Sequence, residues 1–126
     1  MSFEFVQKLP TPAEIKELFP LPAHLAAIKA EKDKEIRKIF TGESDKFLVI
    51  IGPCSADNED AVLDYATRLA RVQEKVADRL LLIPRVYTNK PRTNGLGYKG
   101  MLHQPDPEKQ PSVSEGLHAI RHLHMK

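Results

Sequence analysis

The chain has 126 residues, 41% hydrophobic, 29% charged and 6% aromatic, a balance that fits one modest globular domain able to bury roughly two-thirds of its unfolded surface. Nineteen basic residues against seventeen acidic ones leave a net charge of +2, which is no electrostatic footprint for nucleic acid. A single cysteine excludes an intrachain disulfide framework and suits the cytosol, no apolar run reaches the length of a membrane span, and the first residues lack the pattern of a secretion signal.

The first ten residues read as an extended arm in which Phe3, Phe5 and Val6 alternate with polar neighbours, a pattern open to a short strand or a free terminus. Thr11-Pro12-Ala13-Glu14 is a capping box with proline at the first helical position, and Pro20 and Pro22 keep that helix short. Pro22 then opens a second helix carrying Leu25, Ile28, Ile36, Ile39 and Phe40, with a solvated charged middle at residues 31–35 and Gly42 as its C-terminal stop.

Phe47-Leu48-Val49-Ile50-Ile51 is an uninterrupted apolar run with three β-branched members, which fits a parallel strand better than an alternating antiparallel one. Gly52-Pro53 ends the ladder, because proline has no N–H to give, and so delivers Cys54 to the strand's carboxyl end. In parallel α/β folds ligands gather at that end; a small residue filling a turn is the other use of a cysteine here. Asp57 or Asn58 can cap the next helix, whose Val62, Tyr65, Leu69, Val72 and Val76 recur at intervals of three and four and should face a sheet. Leu80-Leu81-Leu82-Ile83 is a second apolar run, so strand, helix and strand make a βαβ unit that should be right-handed, although Pro84 counts against a central strand.

Residues 88–111 are polar, rich in glycine and proline, and without periodicity; a loop so long is functional or disordered. Ser112-Val113-Ser114-Glu115 resembles another capping box, opening a helix with Val113, Leu117, Ile120 and Leu123 on one face. The sequence stops about one turn later, where another strand is expected, and reads as interrupted.

The chemistry concentrates at the second strand's exit. Arg85, Lys90 and Arg92 place three cations within eight residues, and Thr93 adds a hydroxyl; guanidinium, ammonium and hydroxyl all suit phosphate or carboxylate. An ordinary basic surface loop is the plainer account of the same residues. Gly95-Leu96-Gly97-Tyr98-Lys99-Gly100 matches G-x-G-x-x-G in letters only, since no strand directly precedes it and the following residues cannot open a helix there. His118 and His122 stand at helical i, i+4 spacing but lack the carboxylate of a zinc motif, and read as solvent-facing.

Taken in order, Ile51-Gly52-Pro53-Cys54-Ser55, Arg85-Val86-Tyr87, Lys90-Pro91-Arg92-Thr93 and Gly97-Tyr98-Lys99-Gly100 resemble the N-terminal third of the type I 3-deoxy-D-arabino-heptulosonate 7-phosphate (DAHP) synthases, which open the shikimate pathway to aromatic amino acids. The resemblance runs from about Ile36 to Lys126. A sister family making 3-deoxy-octulosonate phosphate shares the G-P-C strand end but has K-A-N where this chain has Lys90-Pro91-Arg92.

The resemblance implies an α/β fold, the N-terminal part of a (β/α)8 TIM barrel with about two core strands, preceded by a helical extension. Residues 1–45 would be that extension, serving oligomer contacts and regulation, and residues 46–126 the first βα units. It implies a cytoplasmic transferase condensing phosphoenolpyruvate with erythrose 4-phosphate, working as a homo-oligomer away from membranes and nucleic acid. Cys54 would be a ligand of a divalent metal, manganese first, with iron(II) or cobalt(II) as alternatives. Arg85 and Lys90 would be the catalytic residues gripping phosphoenolpyruvate, Arg92 and Thr93 would hold the sugar phosphate, and Lys99 would lie near the substrates. A barrel of this kind needs about 250 residues, and the family's other metal ligands, a His, a Glu and an Asp, lie on later strands. The isolated chain is therefore expected to be inactive. A non-catalytic remnant that self-associates or docks on a full-length synthase is the alternative, and a free-standing phosphate-binding module a third.

Overall fold

The computed structural model describes residues 4–90, 92 and 94–126. Six elements follow one another: α1 (Pro12–Leu18), α2 (Ala23–Phe40), β1 (Phe47–Ile51), α3 (Glu59–Val76), β2 (Leu80–Pro84) and α4 (Val113–Leu123).

Residues 4–10 form no strand, and Phe5 and Val6 are exposed, so the alternation in the arm does not signal sheet pairing among the described residues; Phe3 lies outside them. The capping box of α1 is complete: the Thr11 Oγ1 accepts from the Glu14 N–H at 3.3 Å, and the Glu14 carboxylate accepts from the Thr11 N–H at 2.6 Å. Pro22 sits at the N-cap of α2 without a side-chain cap. At its other end Gly42 adopts a left-handed φ of +77°. The Glu43 N–H donates to the Lys38 carbonyl at 2.8 Å and the Gly42 N–H to that of Ile39 at 3.3 Å, the paired bonds of a Schellman stop. α2 buries no residue; Ile28 and Phe40 stay exposed, and Lys29–Asp33, Lys32–Glu35 and Lys34–Glu31 ion pairs line its charged middle.

β1 and β2 pair in parallel, with Phe47 opposite Leu80 and Ile51 opposite Pro84. The Phe47 N–H donates to the Arg79 carbonyl and the Arg85 N–H to that of Ile51, both at 2.9 Å. Odd-numbered backbone groups of β2 therefore face β1. Pro84 falls on the outer edge, where its missing N–H costs the β1–β2 ladder nothing.

Asn58, rather than Asp57, caps α3, its Oδ1 accepting from the Ala61 N–H at 2.9 Å. Val62 is buried, but Val72 is 46% exposed. The inward face continues through Gln73 instead, three residues before Val76, and the expectation for Val72 is corrected accordingly. The long loop is folded. The Lys90 N–H donates to the Lys99 carbonyl at 2.8 Å and the Leu102 N–H to that of Thr88 at 3.0 Å, and Met101 is buried beside Ala56, Val62 and Leu123. α4 starts at Ser112, whose Oγ accepts from the Glu115 N–H at 3.3 Å; only this half of the expected capping box is present among the described contacts. Its Gly116 lies so close to the loop that a Cβ would come within 1.9 Å of the Leu102 carbonyl oxygen. No helix among the described residues is long and apolar enough to cross a membrane.

Candidate anion-binding site

The site arises because the two strands release the chain in step. After β1 and β2 end, the Ala56 N–H still donates to the Tyr87 carbonyl at 2.9 Å, so the segments beyond the strands run side by side. Gly52 permits this approach: a Cβ there would stand 1.9 Å from the Arg85 carbonyl oxygen. Cys54 is thereby brought beside residues 85–92, which follow it by more than thirty positions.

The Lys90 Nζ donates to the Cys54 Sγ at 3.1 Å. This contact, with the charge of the same ammonium and smaller contributions from Arg85 and Arg92, holds the Cys54 thiol below its usual range. Arg85 donates through Nη2 to the Pro53 carbonyl at 2.9 Å, and its guanidinium lies 5.2 Å from the centre of the Tyr87 ring. The Lys90 Nζ stands 5.7 Å from the same centre, so one aromatic ring serves two cations. Arg92 is turned to the loop's other arm, its Nε donating to the Tyr98 carbonyl at 3.0 Å. Gly100 closes that arm at φ +102°, where a Cβ would meet the Thr88 carbonyl oxygen at 2.3 Å.

Four of the expected residues thus converge: Cys54, Arg85, Lys90 and Arg92. Lys99 joins them through its backbone bond to Lys90, with its side chain exposed. Thr93 and Pro91 lie outside the described residues. Residue type alone does not point to Tyr87 or the Tyr98 carbonyl. The available signal is an aromatic two residues after Arg85 and another beside Lys99, a pattern more often due to packing. Of the α4 histidines His122 is exposed, as expected, and His118 is half-buried; their rings lie 6.2 and 5.9 Å from that of Phe19.

The cluster is open, with Cys54, Arg85 and Arg92 exposed and Lys90 half-buried. Lys90 against the sulfur, with Arg85 and Arg92 acting on it through their charge, makes a surface that attracts anions. A metal centre is another matter. Among the described residues no three His, Cys, Asp or Glu side chains converge, and the one thiol faces an ammonium. One sulfur is a poor site for a hard divalent ion, so these residues do not hold such an ion by themselves.

Residues 21–122 match the model of the DAHP synthetase I family. The chain belongs to that family. The DAHP synthetase I match begins before α2 and ends within α4, so every residue of the cluster falls inside it. The Phe-sensitive phospho-2-dehydro-3-deoxyheptonate aldolase of Escherichia coli K12 is 37% identical over 118 residues, which are 94% of this chain and 33% of the relative. The phospho-2-dehydro-3-deoxyheptonate aldolase of Amycolatopsis methanolica is 39% identical over 118 residues, 94% of this chain and 58% of that one. In three dimensions the phospho-2-dehydro-3-deoxyheptonate aldolase of Francisella tularensis SCHU S4 superposes with a TM-score of 0.87 at 31% identity, over 97% of this chain and 36% of that one. The chain spans about a third of the length of the Escherichia coli DAHP synthase family member. Its α/β fold with two parallel strands is shared with a solved structure of the same family.

Proposed function

We propose that this chain carries the phosphoenolpyruvate-binding corner of a DAHP synthase, built on the first strands of a (β/α)8 barrel. The observation that carries the reading is the convergence of Arg85, Lys90 and Arg92 on Cys54 at the carboxyl ends of two parallel strands. In the reaction of this family C3 of phosphoenolpyruvate joins the aldehyde carbon of erythrose 4-phosphate, water adds at C2, and inorganic phosphate leaves.

Arg85 and Lys90 would hold the phosphate and carboxylate of phosphoenolpyruvate, each charge-assisted bond contributing about 1.5–3 kcal/mol where water is excluded. Arg92, together with Thr93, would hold the phosphate of erythrose 4-phosphate, and Lys99 would lie nearby. Cys54 would be this chain's donor to the divalent metal, with the remaining donors coming from outside the described residues. Residues 1–45 would serve contacts between copies.

Alkylation of Cys54 tests the reading. Phosphoenolpyruvate should slow its modification by iodoacetamide, and the Lys90→Ala variant should lose most of that protection. Equal rates with and without phosphoenolpyruvate would contradict the proposal.

A further inference from the structure

The loop that carries Lys90 is closed by bonds between its two arms. The Leu102 N–H donates to the Thr88 carbonyl at 3.0 Å, and the Lys90 N–H donates to the Lys99 carbonyl at 2.8 Å. Asn89 stands between these bonds, and its side chain makes a third. Its Oδ1 lies 3.1 Å from the His103 Nε2, so the ring donates and the amide oxygen accepts.

The two partners differ in how they are anchored. His103 sits on a platform held by the core. Met101 is buried just before it, and Gly116 of α4 admits the Leu102 carbonyl. The His103 N–H donates to the Gly100 carbonyl at 3.0 Å, and its carbonyl accepts from the Ser112 N–H at 2.8 Å, at the cap of α4. Asn89 belongs to the other arm and is exposed. The next residue is Lys90, whose ammonium meets the Cys54 sulfur at 3.1 Å. A lysine ammonium ends a flexible four-carbon stem, so its place depends on the backbone that carries the stem. The imidazole ties that backbone to the platform one residue away.

We propose that Asn89 and His103 are positioning residues for the anion site, and that their bond keeps the Lys90 ammonium at Cys54. The proposal rests on the reading of Lys90 as a phosphoenolpyruvate-binding group and adds what holds that group in place.

The contact itself can be read without substrate. o-Phthalaldehyde joins a thiol and an amine in contact into a fluorescent isoindole, and this chain has a single cysteine. The unaltered chain should form the isoindole, and Lys90→Ala should not. Asn89→Ala and His103→Ala should each form it about fivefold more slowly, the effect of one hydrogen bond. The double variant should be no slower than either single one, because both remove the same bond. His103→Gln keeps an N–H donor at similar reach and should recover most of the rate, whereas His103→Leu, bulky but without a donor, should not. Phosphoenolpyruvate should also bind Asn89→Ala about fivefold more weakly than the unaltered chain. Asn89 is exposed, so its variant supplies the answer if His103→Ala does not fold. No isoindole from the unaltered chain, an unchanged rate in Asn89→Ala, or additive losses in the double variant would overturn the proposal. Failure of the anion reading looks different: no chain would bind phosphoenolpyruvate, while the isoindole rates would still fall as stated and leave the pair as the holder of Lys90.

Discussion

A lysine ammonium 3.1 Å from the only cysteine sets the character of the site at the level of single residues. Because Lys90 first, then Arg85 and Arg92, favour the thiolate, the Cys54 thiol titrates below its ordinary range. Lys90→Ala removes the largest cause, so the apparent pKa should rise and alkylation at neutral pH should slow. The rate of iodoacetamide labelling across a pH series measures both, and an unshifted profile would show that the contact does not govern the thiol. Gly52 is the second decisive residue. A methyl group there would overlap the Arg85 carbonyl oxygen, and backbone cannot yield as a flexible side chain does. Gly52→Ala should destabilise the chain by about 3 kcal/mol, read as a fall in the urea midpoint. An unchanged midpoint would mean that the strand exits are not held in close contact.

Among the elements, the pairs that sequence spacing made legible are those written in local rules. The Thr11 capping box, the stop at Gly42, the apolar runs of β1 and β2 and the cap at the start of α4 all depend on residues within a few positions of one another. What was not legible depends on distant partners. Val72 looks like a core residue and Gln73 a surface one, yet the carboxamide turns inward, donating to the Leu80 carbonyl and accepting from the Leu82 N–H. Met101 lies in a stretch without periodicity and Gly116 off the apolar face of α4, and only the fold shows one filling the core and the other admitting the Leu102 carbonyl. The join between α3 and α4 is likewise non-local: Glu59 accepts from the Lys126 Nζ at 2.5 Å and lies 3.4 Å from the His122 Nδ1. The Lys126 hydrogen bond, then the charges of Lys126 and His122, hold the Glu59 carboxyl below the usual 4.5. A carboxyl depressed in the folded state stabilises above its unfolded value and loses that contribution as pH falls through its folded value. Acidification below about pH 4.5 should therefore weaken this join, by under about 1 kcal/mol because the pair is partly exposed. Glu59→Gln should show a correspondingly flatter stability profile in urea titrations from pH 7 to pH 3; parallel profiles would remove Glu59 from the account.

The whole molecule combines a small core with open apolar surface. Among the described residues Ala56, Val62, Leu81, Met101 and Leu123 are the buried hydrophobic ones, while Phe47 is 74% and Ile50 63% exposed on β1. Exposed strand residues of this size mark surfaces that other protein covers, which fits a family whose relatives are longer. The cluster at the strand ends brings cations to the Cys54 sulfur but, among the described residues, no set of metal donors. The chain alone should accordingly bind phosphoenolpyruvate without turning it over. The most direct measurement is a titration of phosphoenolpyruvate into the isotopically labelled 126-residue chain, followed by amide and thiol-adjacent resonances. The account predicts saturable shifts centred on Cys54, Arg85, Lys90 and Lys99 that disappear in Lys90→Ala. Shifts centred elsewhere, or none at concentrations that saturate a charged surface, would contradict it.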